Sequence, residues 1–269
     1  MNRYVPIATL PNWLDTFIFD QLGGRFCKSN ADMTVIDWDR GEILNYLGTY
    51  FPRSYVESRF IATREILSSF SNKSTLSIFD FGCGTGGEII GLLTNIEEYL
   101  PLVKDVKIVA LDGNHHALRL LEKVLGEFKK HSHLKVSYSI APITIDDSFD
   151  LSVLDEIITG TFDLFLSFKA ICEFVTKDQF EGHNPYKTIV DTYLPRINEN
   201  GLMILVDVTS FSSVSKDWLP NMMDRGIIGE DRVILSRNDG YNQSFYLSHR
   251  GTRGATDVSK VCWRVIKRA

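Results

Sequence analysis

From about residue 76 onward, the hydrophobic positions switch between two periodicities. Five short apolar runs read as strands: "LSIFDF" (76–81), "VKIVALD" (106–112), "LKVSYSI" (134–140), "FDLFLSF" (162–168) and "GLMILVDV" (201–208). The fourth is apolar almost throughout, as a parallel strand covered on both faces should be. Segments with helical spacing lie between them. Ile89, Ile90, Leu93, Ile96 and Leu100 share one side of 87–100, and Leu118, Leu121, Val124, Leu125 and Phe128 share one side of 115–130. "NPYKTIVDTYLPRIN" (184–198) reads as a further helix with Pro185 near its start.

This alternation predicts an α/β fold, a Rossmann-like doubly wound sheet with right-handed crossovers. Two late runs break the rhythm. "SFYLSH" (244–249) and "SKVCWRVIKR" (259–268) are joined by the turn-like "RGTRGATDV", with no room for a helix. They predict a terminal antiparallel hairpin at the sheet edge, and a seven-stranded sheet in all. The first 75 residues are less regular. "PRSYVESRFIATREILSSF" (52–70) predicts an amphipathic helix with Val56, Phe60, Leu67 and Phe70 on one side, ended by "SNKS" (71–74). Residues 1–75 are therefore expected to form an N-terminal helical cap and substrate region over the sheet's C-terminal edge. Residues 76–269 are expected to form the ligand-binding domain.

Composition changes this picture little. The 269 residues are 44% hydrophobic and 23% charged, ordinary for a globular chain. The formal charge of −5 gives no general attraction to nucleic acid. It is unevenly spread, with 11 basic and 20 acidic groups over 76–208 against 10 and 6 from 209 on. A basic C-terminal edge facing RNA is one reading of that excess, and a solvated surface is the favoured one. Cys27, Cys83, Cys172 and Cys262 form no C-x-x-C pair and no disulfide framework, which points to a reducing, cytoplasmic setting. No apolar run is long enough to span a membrane, and the proline-broken N-terminus is not a secretory signal.

The chemistry concentrates in "FDFGCGTGGE" (79–88). Gly82, Gly84 and Gly86 make G-x-G-x-G, whereas Gly82, Gly84 and Gly87 make the dinucleotide pattern G-x-G-x-x-G. Either way a strand ends, the backbone turns tightly, and a helix begins with its free N–H groups toward a ligand. Asp112, at the tip of the next strand, is placed to accept both hydroxyls of a ribose. Asp80 distinguishes the two patterns. A carboxylate two residues before Gly82 would repel a pyrophosphate and attract a sulfonium and an ammonium.

These stretches, with "VALDGN", "FDLFLSF" and the closing strand pair, resemble the class I S-adenosylmethionine (SAM)-dependent methyltransferases over roughly residues 76–269. That family's D-x-G-x-G-x-G loop is matched by Asp80, Gly82, Gly84 and Gly86. The resemblance implies SAM as cofactor. It implies that Gly82, Cys83 and Gly84 line its methionine part, that Asp112 holds the ribose, and that Gly113 and Asn114 lie beside the adenine. Ser167, Phe168 and Lys169 would border the methyl group. Many members carry an acid after the third strand; here the region reads "YSIAPITIDD", leaving Ile143 or Asp146. "SFKAICEF" is not the N-P-P-[YF] signature of base-amine methylation. A shorter likeness, in "YLGTYFPRSYVESRF" and "FKAICEF", is similar to the mitochondrial-ribosome-associated methyltransferase-like family, whose cysteine-rich cluster is missing here.

Methyl transfer needs no fixed catalytic constellation, and none is evident. Glu173 is the candidate for an acid near the acceptor. Among Arg53, Tyr55 and Arg59 on the predicted helix, Tyr55 or Arg59 could meet the cofactor carboxylate. His115 and His116 open a helix, where adjacent side chains diverge, so no metal is expected. "WLPNMMDRG" (218–226) suits a lid or the core. Trp13, Trp38, Trp218 and Trp263 are dispersed, as core residues are. The function expected is methyl transfer to a small molecule, protein or RNA, with a non-catalytic SAM-binding scaffold on a ribosomal or other partner as the alternative. A nicotinamide-dependent dehydrogenase rests on Gly87 alone.

Overall fold

A computed structural model describes residues 7–28, 39–145, 151–155, 157–175 and 183–269. Asp146 and Trp38 lie outside them. In chain order the elements are β1 (Ala8–Thr9), α1 (Asn12–Thr16), α2 (Arg40–Ile61), α3 (Arg64–Leu67), β2 (Thr75–Phe81), α4 (Gly87–Tyr99), β3 (Asp105–Asp112), α5 (His115–His131), β4 (Lys135–Pro142) and β5 (Phe162–Phe168). There follow α6 (Ile171–Val175), α7 (Pro185–Tyr193), β6 (Ile197–Val208), β7 (Phe211–Ser212), β8 (Asp217–Trp218), α8 (Leu219–Gly226), β9 (Arg232–Arg237), β10 (Gln243–Ser248) and β11 (Asp257–Arg268).

The five strands read from hydrophobic periodicity form a parallel sheet in the spatial order β4-β3-β2-β5-β6. The chain winds outward from β2 to β4, then crosses back to β5 on the other side of β2. The topological switch point therefore lies between the carboxyl ends of β2 and β5, where open α/β sheets form a ligand crevice. Helices cover both faces. One core gathers α2, α4 and α5 against Ile78, Leu164, Leu166, Ile204 and Val265. The other gathers α7, α8, Leu151, Leu154 and Ile158 against Phe79, Phe81, Phe165 and Leu205.

Among the described residues the sheet has nine strands, not seven. β10 and β11 pair antiparallel, Gln243 with Val261 through Leu247 with Asp257. β11 is not at the edge, however. Its inner side pairs with β6, and its outer side is shared by β10 and, farther along, β9. β1 then extends the sheet beside β10. Both extra strands are short or heavily exposed, so their alternation is weak in the sequence. β6 also starts at Ile197, ahead of the expected 201, because Ile197 pairs with Phe162 and the polar "NEN" falls in the register shift before Leu202 meets Leu164.

The N-terminal segment differs most from expectation. α2 begins at Arg40 rather than Pro52. Asp39 caps it, with Oδ1 accepting from Gly41 N and Glu42 N at 2.6 and 2.8 Å, while Glu42 Oε2 accepts from Asp39 N at 2.9 Å. This capping box is written in "DRGE", and it carries the helix through Pro52. Phe60, expected inward, is 42% exposed and meets Phe245 edge-on at 5.0 Å. α2 is no detached cap. It lies against α4 within the same core as the sheet, and Leu10, Leu14 and Ile18 belong to that core too.

Candidate functional site

The crevice at the switch point is floored by the turn after β2. Gly82, Gly84 and Gly86 have φ of +74°, +48° and +79°, a region that L side chains rarely enter. Side chains are excluded there as well. A Cβ on Gly82 would strike Ala170, one on Gly86 would strike Leu121, and one on Gly84 would lie 2.6 Å from the Tyr46 hydroxyl. Gly87 is different. Its φ is ordinary, and a Cβ there would strike the carbonyl of Phe51 on α2. The G-x-G-x-G set is thus the loop, and Gly87 is a packing glycine. Gly91 repeats its role one turn on, against the carbonyl of Tyr55.

The loop is pinned to β3. Gly82 N and Cys83 N both donate to Leu111 O at 2.9 Å, and Gly86 N closes the turn on Cys83 O at 2.8 Å. Asp112 makes the central tie. Its Oδ2 accepts from Gly84 N at 2.7 Å and its Oδ1 from Asn114 N at 2.8 Å. Burial raises this carboxyl above the ordinary range, against the lowering effect of those two bonds. Asn114 caps α5 through His116 N and Ala117 N, at 2.9 and 3.0 Å. Ile143 N donates to Asp112 O at 3.1 Å, so the end of β4 meets the same loop, with Gly113 half-buried beside it.

Asp80 is the anomaly. It is 0% exposed, and neither carboxylate oxygen has a hydrogen-bond partner as an ionised group. Glu88, in the first turn of α4, is 4% exposed and in contact with it. Burial first, then the neighbouring Glu88, pushes the Asp80 carboxyl far above its ordinary value. Burial also pushes Glu88 up, to about 8. Both acids are thus held toward their protonated, neutral forms.

Lys169, just beyond β5, supplies the nearby cation. Its φ of +58° is rare for a lysine and marks a backbone held by its surroundings. Its Nζ is bonded to Glu57 Oε2 of α2 at 2.5 Å, and Ser259 Oγ of β11 donates to the other oxygen at 2.5 Å. Three elements are thereby locked behind the crevice. Lys169 lies at the site, but its charge is committed to Glu57.

Tyr46 of α2 is the residue that sequence reasoning missed. Its hydroxyl stands over Gly84, and burial, then Glu88, Asp112 and Glu173, hold its pKa well above the ordinary tyrosine value. Only the true start of α2 at Asp39, readable from its capping box, could have brought Tyr46 into view. Glu173, half-buried on α6, is near enough to raise the Tyr46 pKa further. Behind it, Asp207 accepts from Cys172 N at 2.9 Å and Tyr186 hydroxyl at 2.8 Å, fixing the segment after β5. Ser167 and Phe168 are buried at the end of β5, and the Ser167 hydroxyl has no partner.

Two predicted residues are not brought to the loop. Tyr55 is buried at the α2–α4 contact. Arg59 is bonded to Asn95 and Glu98, two turns farther from the loop along α4. Arg53 is taken by Asp257, at 2.7 and 2.8 Å. The rings of His115 and His116 do not diverge: their centroids lie 4.0 Å apart. Among the described residues no group of three or more His, Cys, Asp or Glu could hold a metal. "WLPNMMDRG" resolves toward the core, since Leu219, Met222 and Met223 are buried and Trp218 is exposed. In the C-terminal region Arg225, Arg232, Arg237, Arg250 and Arg264 are all ion-paired, Arg232 and Arg250 to acids from elsewhere in the chain. No described helix is long and apolar enough to cross a membrane.

No family model matches this sequence, and no curated protein does. Solved structures do. A precorrin-6y C5,15-methyltransferase from Geobacter metallireducens is 15% identical at a TM-score of 0.42, covering 76% of this chain and 84% of its own. An rRNA methylase from Streptococcus thermophilus is 11% identical at 0.45, covering 76% and 93%. A coclaurine N-methyltransferase bound to N-methylheliamine and S-adenosylhomocysteine (SAH) is 14% identical at 0.42, covering 90% and 62%.

Proposed function

We propose that this chain is a SAM-dependent methyltransferase. The observation that carries the reading is Asp80: a fully buried carboxyl without a donor, set against a loop of three left-handed glycines. A pyrophosphate would meet repulsion there, whereas a cationic ligand relieves the strain of two acids sharing a dry site. The dehydrogenase reading loses its footing, because Gly87 serves the helix contact rather than the loop. Nothing at the site favours the non-catalytic scaffold.

The residues present fit the cofactor. Asp112 bonds the glycine loop and Asn114 with one lone pair of each oxygen, keeping others for the ribose hydroxyls. Asn114, Gly113 and Ile143 surround the position for adenine. Gly82, Cys83 and Gly84 allow close backbone approach of the methionine part. Tyr46, whose hydroxyl stands over Gly84, takes the place expected of Tyr55 or Arg59 beside the methionine part. When bound, SAM supplies a methyl group already activated on sulfur. The protein's part is alignment and exclusion of water: Tyr46 covers the loop, and Ser167, Phe168 and Lys169 wall the side toward the acceptor. Glu173 is placed to take a proton from an acceptor that carries one. The acidic stretch 76–208 makes a long RNA the less favoured acceptor among small molecule, protein and RNA.

Calorimetric titration of the purified chain with SAM, SAH and NAD tests the reading. Binding of SAM or SAH without NAD is expected; binding of NAD alone would sink the proposal. Transfer of labelled methyl into fractionated small molecules, protein and RNA then identifies the acceptor.

A further inference from the structure

Glu88 is the residue of the loop stretch that the sequence reading left unused. An acid in a first helical turn ordinarily faces water near the free N–H groups. Here it is buried, one residue beyond the packing glycine, and it touches Asp80. Alternation along β2 puts Asp80 on the side of Leu76 and Ile78, under α2 and α4. Two ionised carboxylates cannot hydrogen-bond each other, so the contact requires a proton between them.

The surroundings offer one compensating charge, and it is already committed. From α2, Glu57 adds like charge to Glu88; from the segment after β5, Lys169 faces Glu88 but is bonded to Glu57. From β3, Asp112 adds like charge to Asp80. Tyr46 and Cys83 border the pair and are both held neutral by burial, and Glu173 lies beyond Tyr46. Neutral serine, threonine or asparagine would have cost less in this position. A doubled acid in a dry site is explained by a cation that comes and goes.

Resting on the donor site proposed above, we infer that Asp80 and Glu88 form a charge-selective pair that binds the cationic methyl donor and disfavours the neutral thioether product, with Glu88 a specificity-determining residue. Methyl transfer breaks the carbon–sulfur bond and leaves its electron pair on sulfur. The acceptor's lone pair forms the new bond to the methyl, and any proton on that acceptor atom leaves to base or solvent. Sulfur thus passes from positive to neutral. The pair then faces the retained ammonium without the sulfonium and takes up a proton from water, which weakens its hold on the product. Donor binding should release a proton, and product binding should not.

The test is calorimetry of the whole chain with SAM and with SAH, at about pH 6 and about pH 8, in buffers of different ionisation enthalpy. The donor-to-product affinity ratio is expected to rise about tenfold with pH, with proton release for SAM alone. Glu88→Gln is expected to weaken SAM about tenfold, leave SAH within about twofold, and flatten the pH dependence. A ratio that stays flat in the wild type, without proton release, overturns the inference and needs no variant. Equal weakening of both ligands in a Glu88→Gln protein of unchanged circular dichroism overturns it too. If the wild type binds neither ligand, the donor site itself is wrong, and the pair loses its cation with it.

Discussion

Asp163 and Asp80 stand on neighbouring strands of one sheet, at 4% and 0% exposure, and the fold treats them in opposite ways. Asp163, near the start of β5, is wrapped in donors. Lys73 pairs with it, Ser77 donates through N and Oγ at 2.8 and 3.1 Å, and Asn198 Nδ2 donates at 2.9 Å. Burial alone would raise its pKa, but these partners outweigh burial and hold it below the ordinary aspartate value. Asp80, near the end of β2, has no donor, and burial with Glu88 beside it pushes its pKa far up. A carboxylate kept for structure is satisfied within the chain. One kept for a ligand is left for the ligand to satisfy.

The largest expected effect in this contrast belongs to the satisfied member. Asp163→Ala strands Lys73, Asn198 and the Ser77 amide, and should cost about 2–3 kcal/mol of stability by denaturant unfolding. Asp80→Asn should do the reverse. Removing an unpaired acid from a dry site should leave the ligand-free protein at least as stable, by up to about 1–2 kcal/mol at pH 8, while weakening SAM about tenfold or more. If Asp80→Asn destabilises the free protein as Asp163→Ala does, the two carboxyls are not different in kind.

The smallest effect is a slope with pH. Asp80, Glu88 and Asp112 have raised pKa values in the folded state, so that state keeps protons which the unfolded chain loses from about pH 4 upward. Their contribution to stability therefore falls as pH rises toward the value of about 8 for Glu88. Asp163, with a lowered pKa, contributes the other way: its share is present above the unfolded value and lost on acidification. Thermal unfolding of the free protein should thus peak at mildly acidic pH and decline by a few degrees, about 1 kcal/mol, toward pH 8. Asp80→Asn should flatten that decline.

Much of this was legible along the chain, for a local reason. The five parallel strands and the helices α4, α5 and α7 carry strong periodicity because each is covered on a defined side. The glycine loop and Asp112 were legible because turn chemistry is local. The strands β1 and β9 were not, since a two-residue strand and an exposed one hardly alternate. The start of α2 lies twelve residues ahead of Pro52, because the capping box at Asp39 begins the helix at Arg40 and carries it past the proline.

The sequence by itself determined the order of the parallel core, the turn that opens α4, and the acids at the tips of β2 and β3. These depend on residues within one strand or turn of one another. Only the tertiary structure decided which glycine pattern was the loop, because Gly87 is required by a carbonyl on α2 that lies far away in the chain. Only it withdrew Tyr55, Arg59 and Lys169 into other bonds, and put Tyr46 over the loop and Glu88 against Asp80. A charge's partner is chosen by packing between elements, and no spacing along the chain encodes it.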